Sequence, residues 1–198
     1  MLIDVHRPDN GCVDEAKATN DAATLRQKFK EMEANSRQYL ICMYCTNLDL
    51  EGCKDFCTMK HNKWRVSFNK ILATRSWVQL KKTFEIYQRK YGSNFDVDIP
   101  KVLEPWYWYH KTLLSIYQYA MDSSTFFAMA LKRDVHNFEG GTSWGYTYGV
   151  ARVFTWRSEI DLGDIVIAFE KKYSQTLLEH VQYSISGDAK NALIGILQ

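Results

Sequence analysis

The chain has 198 residues, 46% hydrophobic and 24% charged, with a formal net charge of +2. That composition supports one domain with a substantial core or two small modules packed together, and the charge is too small to argue for a nucleic-acid partner or a strongly acidic one. Three prolines and ten glycines suit helices joined by short turns, and no apolar run reaches the eighteen residues a membrane span needs. Met1 to Asn10 carries Asp4, His6, Arg7 and Asp9 and does not read as a signal peptide, which points to a reducing, cytoplasmic setting. The five cysteines then read as thiols or metal ligands, not disulfides.

Taken in chain order, apolar periodicity predicts helices near 13–31, 66–74, 77–91, 94–102 and 106–121, then 123–136, 147–156, 159–173, 175–183 and 187–197. No stretch alternates as a strand. In the third helix Leu80, Phe84, Tyr87 and Tyr91 form one apolar stripe, and in the eighth Leu162, Ile165, Phe169 and Tyr173 do nearly the same. Ser76 followed by Gln79 reads as a capping box, Ser158 with Asp161 as a weaker start, Gly92 as a helix end and Ser186 as a further N-cap.

Two of these segments match each other at an offset of 82 residues. Arg75 pairs with Arg157, Ser76 with Ser158, Leu80 with Leu162, Lys90 with Lys172 and Tyr91 with Tyr173. Self-similarity at fixed spacing marks a repeat architecture. The expectation is an all-α fold of two five-helix repeats, with 1–12 as stub and linker, 13–121 as the first repeat and 122–198 as the second.

The segment at about 32–63 interrupts the first repeat and holds four of the five cysteines. Cys42 and Cys45 form one close pair and Cys53 and Cys57 another, with His61 following. Tetrahedral zinc takes four thiolate or imidazole ligands in close pairs, and this set offers them. The seven-residue gap between the pairs is short for a finger. The four-residue spacing of Cys53, Cys57 and His61 equally fits one face of a helix, and free thiols on an irregular insertion fit as well. Trp106 to His110 places five ring-bearing side chains in a row, too many for one buried stripe, and marks a surface for a protein partner or a second copy of the chain.

RSEIDLGDIVIAFEKKYSQTLLEHVQYSISGDAKNALIGIL, from Arg157, resembles the end of an annexin's last repeat. ILATRSWVQLKKTFEIYQRKYGSNFDVDI, from Ile71, resembles the same helices of the third, and RPDNGCVDEAKATNDAATLRQKF, from Arg7, the linker and first helix of that repeat. The chain therefore resembles the C-terminal half of an annexin, over about four fifths of its length. The resemblance implies a non-enzymatic protein that binds acidic phospholipid membranes peripherally through calcium. The ion sits in a Gly-x-Gly-Thr loop between the first and second helices of a repeat. A carboxylate from the loop before the last helix completes its shell of hard oxygens.

Both candidate loops depart from that pattern. In the second repeat the loop is Glu139, Gly140, Gly141 and Thr142, with a glutamate where the family has its first glycine, and the carboxylate position falls on Ser184. In the first, Lys63 and Trp64 match, but Arg65 and Val66 replace Gly-Thr; Glu104 keeps the carboxylate position. Trp64 and Trp144 beside the loops suit contact with a bilayer interface, or equally packing under a loop. Arg75 and Arg157 at helix starts suit carboxylate pairing or capping better than phosphate binding. Three readings stay open: calcium-dependent phospholipid binding in weakened form, a calcium-independent protein scaffold, and a zinc-binding insertion. No nucleophile-elbow, zincin, P-loop or dinucleotide-binding motif occurs, so enzymatic chemistry is not expected.

Overall fold

The computed structural model describes residues 11–34, 66–103, 107–136 and 143–197. It contains two compact units, Met1–Met121 and Asp122–Gln198. Among the described residues every regular element is a helix. The first unit holds α1 (Glu15–Ala34), α2 (66–74), α3 (Trp77–Tyr91), α4 (Phe95–Leu103) and α5 (Tyr107–Met121). The second holds α6 (Ser123–His136), α7 (Ser143–Arg157), α8 (Leu162–Tyr173), α9 (Leu177–Ser184) and α10 (Gly187–Leu197). Each is a five-helix bundle.

In the first unit α1 packs on α3 and α4, and α5 closes against α3 and α4. The stripe on α3 is the reason: Leu80, Phe84 and Tyr87 are buried and Tyr91 is half-buried. Phe29 of α1 sits edge-on to Phe68 at 5.1 Å and to Phe95 at 5.3 Å, and Phe84 lies 4.8 Å from Phe95. One aromatic cluster thus ties four helices together, with edge-to-face contacts adding to area burial.

The second unit repeats the plan with a more aliphatic core. The α6 helix packs on α7, α8 and α9, while α10 packs on α9 and α7. Leu162, Ile165 and Phe169 of α8 are buried among Leu131, Val150, Phe154, Leu177 and Val181.

Most helix ends follow local chemistry. Asp14 caps α1 by accepting from the Lys17 amide at 2.9 Å, and Gly92 ends α3 with φ of 63°, its amide donating to Gln88. Ser76 accepts from the Gln79 amide, but the reciprocal half of the expected capping box is missing. The Gln79 side chain instead accepts from the Asp14 amide and donates to the Asp14 carbonyl, both at 2.9 Å, stitching α3 to the start of α1. The weaker start at Ser158 is corrected too. Residues 158–160 form a turn, α8 begins at Leu162, and the Asp161 carboxylate is taken by Arg157 and caps nothing. A full capping box stands at Thr176 and Glu179. The α7 helix begins at Ser143, four residues before the expected 147, because SWGYTYG carries no apolar period that would reveal it.

The paired arginines both hold carboxylates, by different routes. Arg75 reaches Asp21 on α1 through Nε at 2.7 Å and Nη2 at 3.0 Å, and Asp21 is 3% exposed. Arg157 pairs with Asp161 one turn away, Nε donating at 2.6 Å, with its guanidinium 4.7 Å above the Phe127 ring. Arg75→Ala leaves a buried carboxylate without its cation and is expected to destabilise the first unit by about 2–4 kcal/mol. Arg157→Ala breaks a local pair and is expected to cost about 1 kcal/mol. Urea unfolding of the two variants, with hydrogen-exchange mass spectrometry reporting each unit separately, checks the ranking.

Candidate calcium-loop frame and a buried charge cluster

Most candidate ligands lie outside the described residues. This holds for Glu139, Gly140, Gly141 and Thr142, for Glu104, for Trp64, and for Cys42, Cys45, Cys53, Cys57 and His61. Trp144 falls in the first turn of α7, where only the backbone is described. The described part of the site is its frame. The Glu139–Thr142 stretch leaves the end of α6 and enters α7. The other connection, at Ile185 and Ser186, leaves α9, which packs on α6, and enters α10, which packs on α7. Ser184 closes α9 and is 9% exposed. Its neutral hydroxyl, at the position the resemblance assigns to the carboxylate, is a poorer ligand for a hard divalent cation than a carboxylate is. In the first unit Glu104 falls between α4 and α5, and Trp64 falls in the connection between α1 and α2. Among the described residues no group of three or more His, Cys, Asp and Glu side chains converges as a metal site.

A polar cluster that periodicity could not reveal lies between α1, α3 and α4. Asp98, 4% exposed, accepts four hydrogen bonds. Arg26 Nη1 donates to Oδ2 at 2.9 Å and Tyr87 Oη to the same oxygen at 2.7 Å. Ser93 Oγ donates to Oδ1 at 2.8 Å and Lys101 Nζ at 3.1 Å. Arg26 also lies 5.8 Å over the Tyr91 ring. Burial works to raise the Asp98 pKa, but the donors from Tyr87, Ser93 and Lys101, with the lysine charge, outweigh it and hold the carboxyl below its ordinary value. Burial, with the hydrogen bond to Asp98, pushes the Tyr87 phenol up. The cleft beside the cluster, between Arg26, Phe29, Glu33, Asp98, Lys101 and Val102, has a volume of about 80 Å³, too small for an organic ligand. The cluster is therefore a structural clasp. The sequence signal for it was Asp98 inside the apolar stretch FDVDI, an acid that α4 must bury.

The second unit carries the same clasp with different chemistry. Lys132 stands in the place of Arg26, Phe169 of Tyr87, Tyr173 of Tyr91, Gln175 of Ser93 and His180 of Asp98. The geometry supports the register: Lys132 Nζ lies 5.6 Å over the Tyr173 ring, as Arg26 does over Tyr91. Phe169 stacks on Tyr173 at 4.9 Å, as Tyr87 does on Tyr91 at 5.3 Å.

The chain is similar to known proteins in sequence and in fold. A family model described as Annexin matches residues 59–104 and 149–196, about half of the chain. The chain carries an annexin-repeat domain. Annexin A13 of Homo sapiens is 30% identical over 154 residues, covering 75% of the chain and 46% of that protein. Annexin B22 of Schistosoma mansoni is 33% identical over 124 residues, covering 63% and 32%. The solved structure of annexin III superposes with a TM-score of 0.70 at 25% identity, over 96% of this chain and 48% of that one. The chain thus spans about half the length of annexin A13. The matched segments contain α2, α3 and α4 in the first unit and α8 and α9 in the second, the helices that carry the clasp partners Tyr87, Asp98, Phe169 and His180.

Asp98 contributes stability to the annexin-repeat fold that is fully present above the unfolded carboxylate value, about 3.9, and is lost as pH falls through the depressed folded value. Asp98→Asn is expected to flatten the acid limb of the first unit's stability below about pH 4 and to lower its stability at neutral pH. Urea midpoints measured across pH on both proteins check this.

Proposed function

We propose that the chain is a non-catalytic, annexin-type peripheral binder of acidic phospholipid surfaces, built from the equivalents of the third and fourth annexin repeats, in which calcium dependence is weakened. The observation that carries the reading is the frame. Each unit keeps the helix pairs whose connections hold calcium and lipid in annexin repeats, while the residues in those connections have drifted.

Calcium affinity follows the number of hard, charged oxygens that converge and the freedom of the backbone to turn carbonyls inward. In the second unit the carboxylate position is Ser184, and Glu139 occupies the place of the first loop glycine. In the first, Glu104 retains the charge, but Arg65 and Val66 replace the Gly-Thr turn and a long insertion separates α1 from α2. Each site keeps one half of the donor set and lacks the other. Trp144 at the first turn of α7 and Trp64 in the α1–α2 connection supply side chains suited to the headgroup region.

Co-sedimentation with phosphatidylserine vesicles, in calcium and in chelator, tests the reading. Calcium-dependent pelleting that needs far more calcium than an intact loop requires is the expected result. Ser184→Glu, restoring the missing carboxylate, is expected to lower the calcium requirement by about tenfold or more, and Ser184→Ala to leave it unchanged. No pelleting at millimolar calcium, for the wild-type chain and for Ser184→Glu alike, overturns the membrane reading in favour of a calcium-independent protein scaffold.

A further inference from the structure

The solvent face of the third helix differs between the two units. Ile160, in the turn before α8, is followed at spacings of four, three and four residues by Asp164, Ile167 and Lys171. Those spacings set the four along one line of a helix. All four are exposed, on the side away from the buried Leu162, Ile165 and Phe169. Ile160 is 68% exposed and Ile167 64%, so two branched aliphatic side chains stand in water on one line. The 82-residue register sets this line against Val78, Lys82, Glu85 and Arg89 of α3. There only one position is apolar, and Lys82 is already paired with Glu15 of α1 at 2.7 Å. In the second unit Ile167 stands where the first has Glu85. Among the described residues neither Asp164 nor Lys171 has a hydrogen bond or an ion pair.

We propose that this face is the interface of a symmetric dimer, in which α8 of a second copy of the chain lies antiparallel across it. The arrangement of charge selects both the occupant and its direction. The acid lies toward the helix N-terminus and the base toward the C-terminus, with Ile167 between them. An antiparallel copy crossing between Ile167 and Ala168 brings Asp164 of each chain opposite Lys171 of the other, and the two-fold symmetry makes the pair twice. A parallel copy sets acid on acid and base on base. The central isoleucines leave water together, which supplies the attraction, while the charge pairs fix the register.

The rest of the helix permits the approach. Gly163, exposed on the same side, has nothing within 4 Å of where a Cβ would stand, so no side chain holds a second helix off there. The other exposed charges near the line, Glu170 and Lys172, fall on opposite flanks of α8. A helix of 12 residues is about 18 Å long, too short for the roughly 800 Å² per partner of a standard interface. The dimer is therefore in exchange with monomer and grows with concentration. It uses neither candidate calcium loop and does not rest on the lipid reading.

Sedimentation velocity of the full chain, in reductant to exclude disulfide-linked species and at up to about 1 mM protein, tests the proposal. A reversible shift from monomer to dimer is expected. Ile167→Glu, which writes the first unit's residue onto the second, is expected to weaken it by about tenfold or more. Asp164→Lys and Lys171→Asp are each expected to give monomer, because each sets like charges opposite. An equal mixture of the two is expected to dimerise again, since both acid–base pairs re-form between unlike chains. These positions are exposed, so the cores are untouched, and circular dichroism checks that each variant keeps its helices. A wild-type chain that stays monomeric overturns the proposal and leaves the face to another partner. A dimer indifferent to Ile167→Glu, or a mixture no more dimeric than its components, overturns it as well. Should a variant disturb α8, amide shifts of the wild-type chain followed on dilution still decide. Movement in α8 with none in α3 supports the interface, and movement that spares α8 overturns it.

Discussion

A carboxylate taken out of water needs its lost hydrogen bonds replaced, and the first unit is arranged around that requirement. Asp98 is nearly inaccessible, and its four donors come from α1, α3, the turn after α3 and α4. No two of these elements can separate without leaving the acid or one of its donors unsatisfied. The aromatic cluster of Phe29, Phe68, Phe84 and Phe95 supplies the larger, non-directional part of the stabilisation. The acid supplies direction, since it specifies which face of the short helix α4 turns toward Arg26. A buried ion pair is weak evidence for net stability but strong evidence for a defined register.

The second unit shows how a repeat keeps a fold while changing its chemistry. Each clasp retains a cation on the first helix, an aromatic pair on the third and a polar residue on the fourth. Phe169 replaces Tyr87 and keeps the ring contact with the tyrosine one turn on. The acid does not survive, and an imidazole stands in its place. The same drift affects the arginines. Arg75 crosses to Asp21 on α1, whereas Phe127 occupies the corresponding place on α6 and Arg157 turns back to Asp161. The long-range polar tie of the first arginine is thus replaced, for the second, by a local pair and a ring contact.

This division bears on function. An annexin repeat separates a rigid helical frame, whose core tolerates conservative exchange, from short connections in which single residues carry the ligand chemistry. Drift in the frame, as from Asp98 to His180, alters which polar side chains meet inside the unit.

Helix positions, the repeat and the two-bundle architecture were legible in the amino-acid sequence. They rest on apolar stripes such as Leu80-Phe84-Tyr87 and on local caps, both short-range in the chain. The candidate ligands were legible only through a resemblance, since a glycine turn and a distant carboxylate have no periodicity. What the sequence by itself determined is which residues are apolar, at what spacing, and where caps stop a helix. What only the tertiary structure decided is which polar side chains meet. Gln79 joins Asp14 across 65 residues and leaves its own cap, Arg26 finds Asp98 across 72, and Lys132 finds His180 across 48. Those choices depend on burial, which sets the cost of an unpaired group, and burial exists only once the helices have packed.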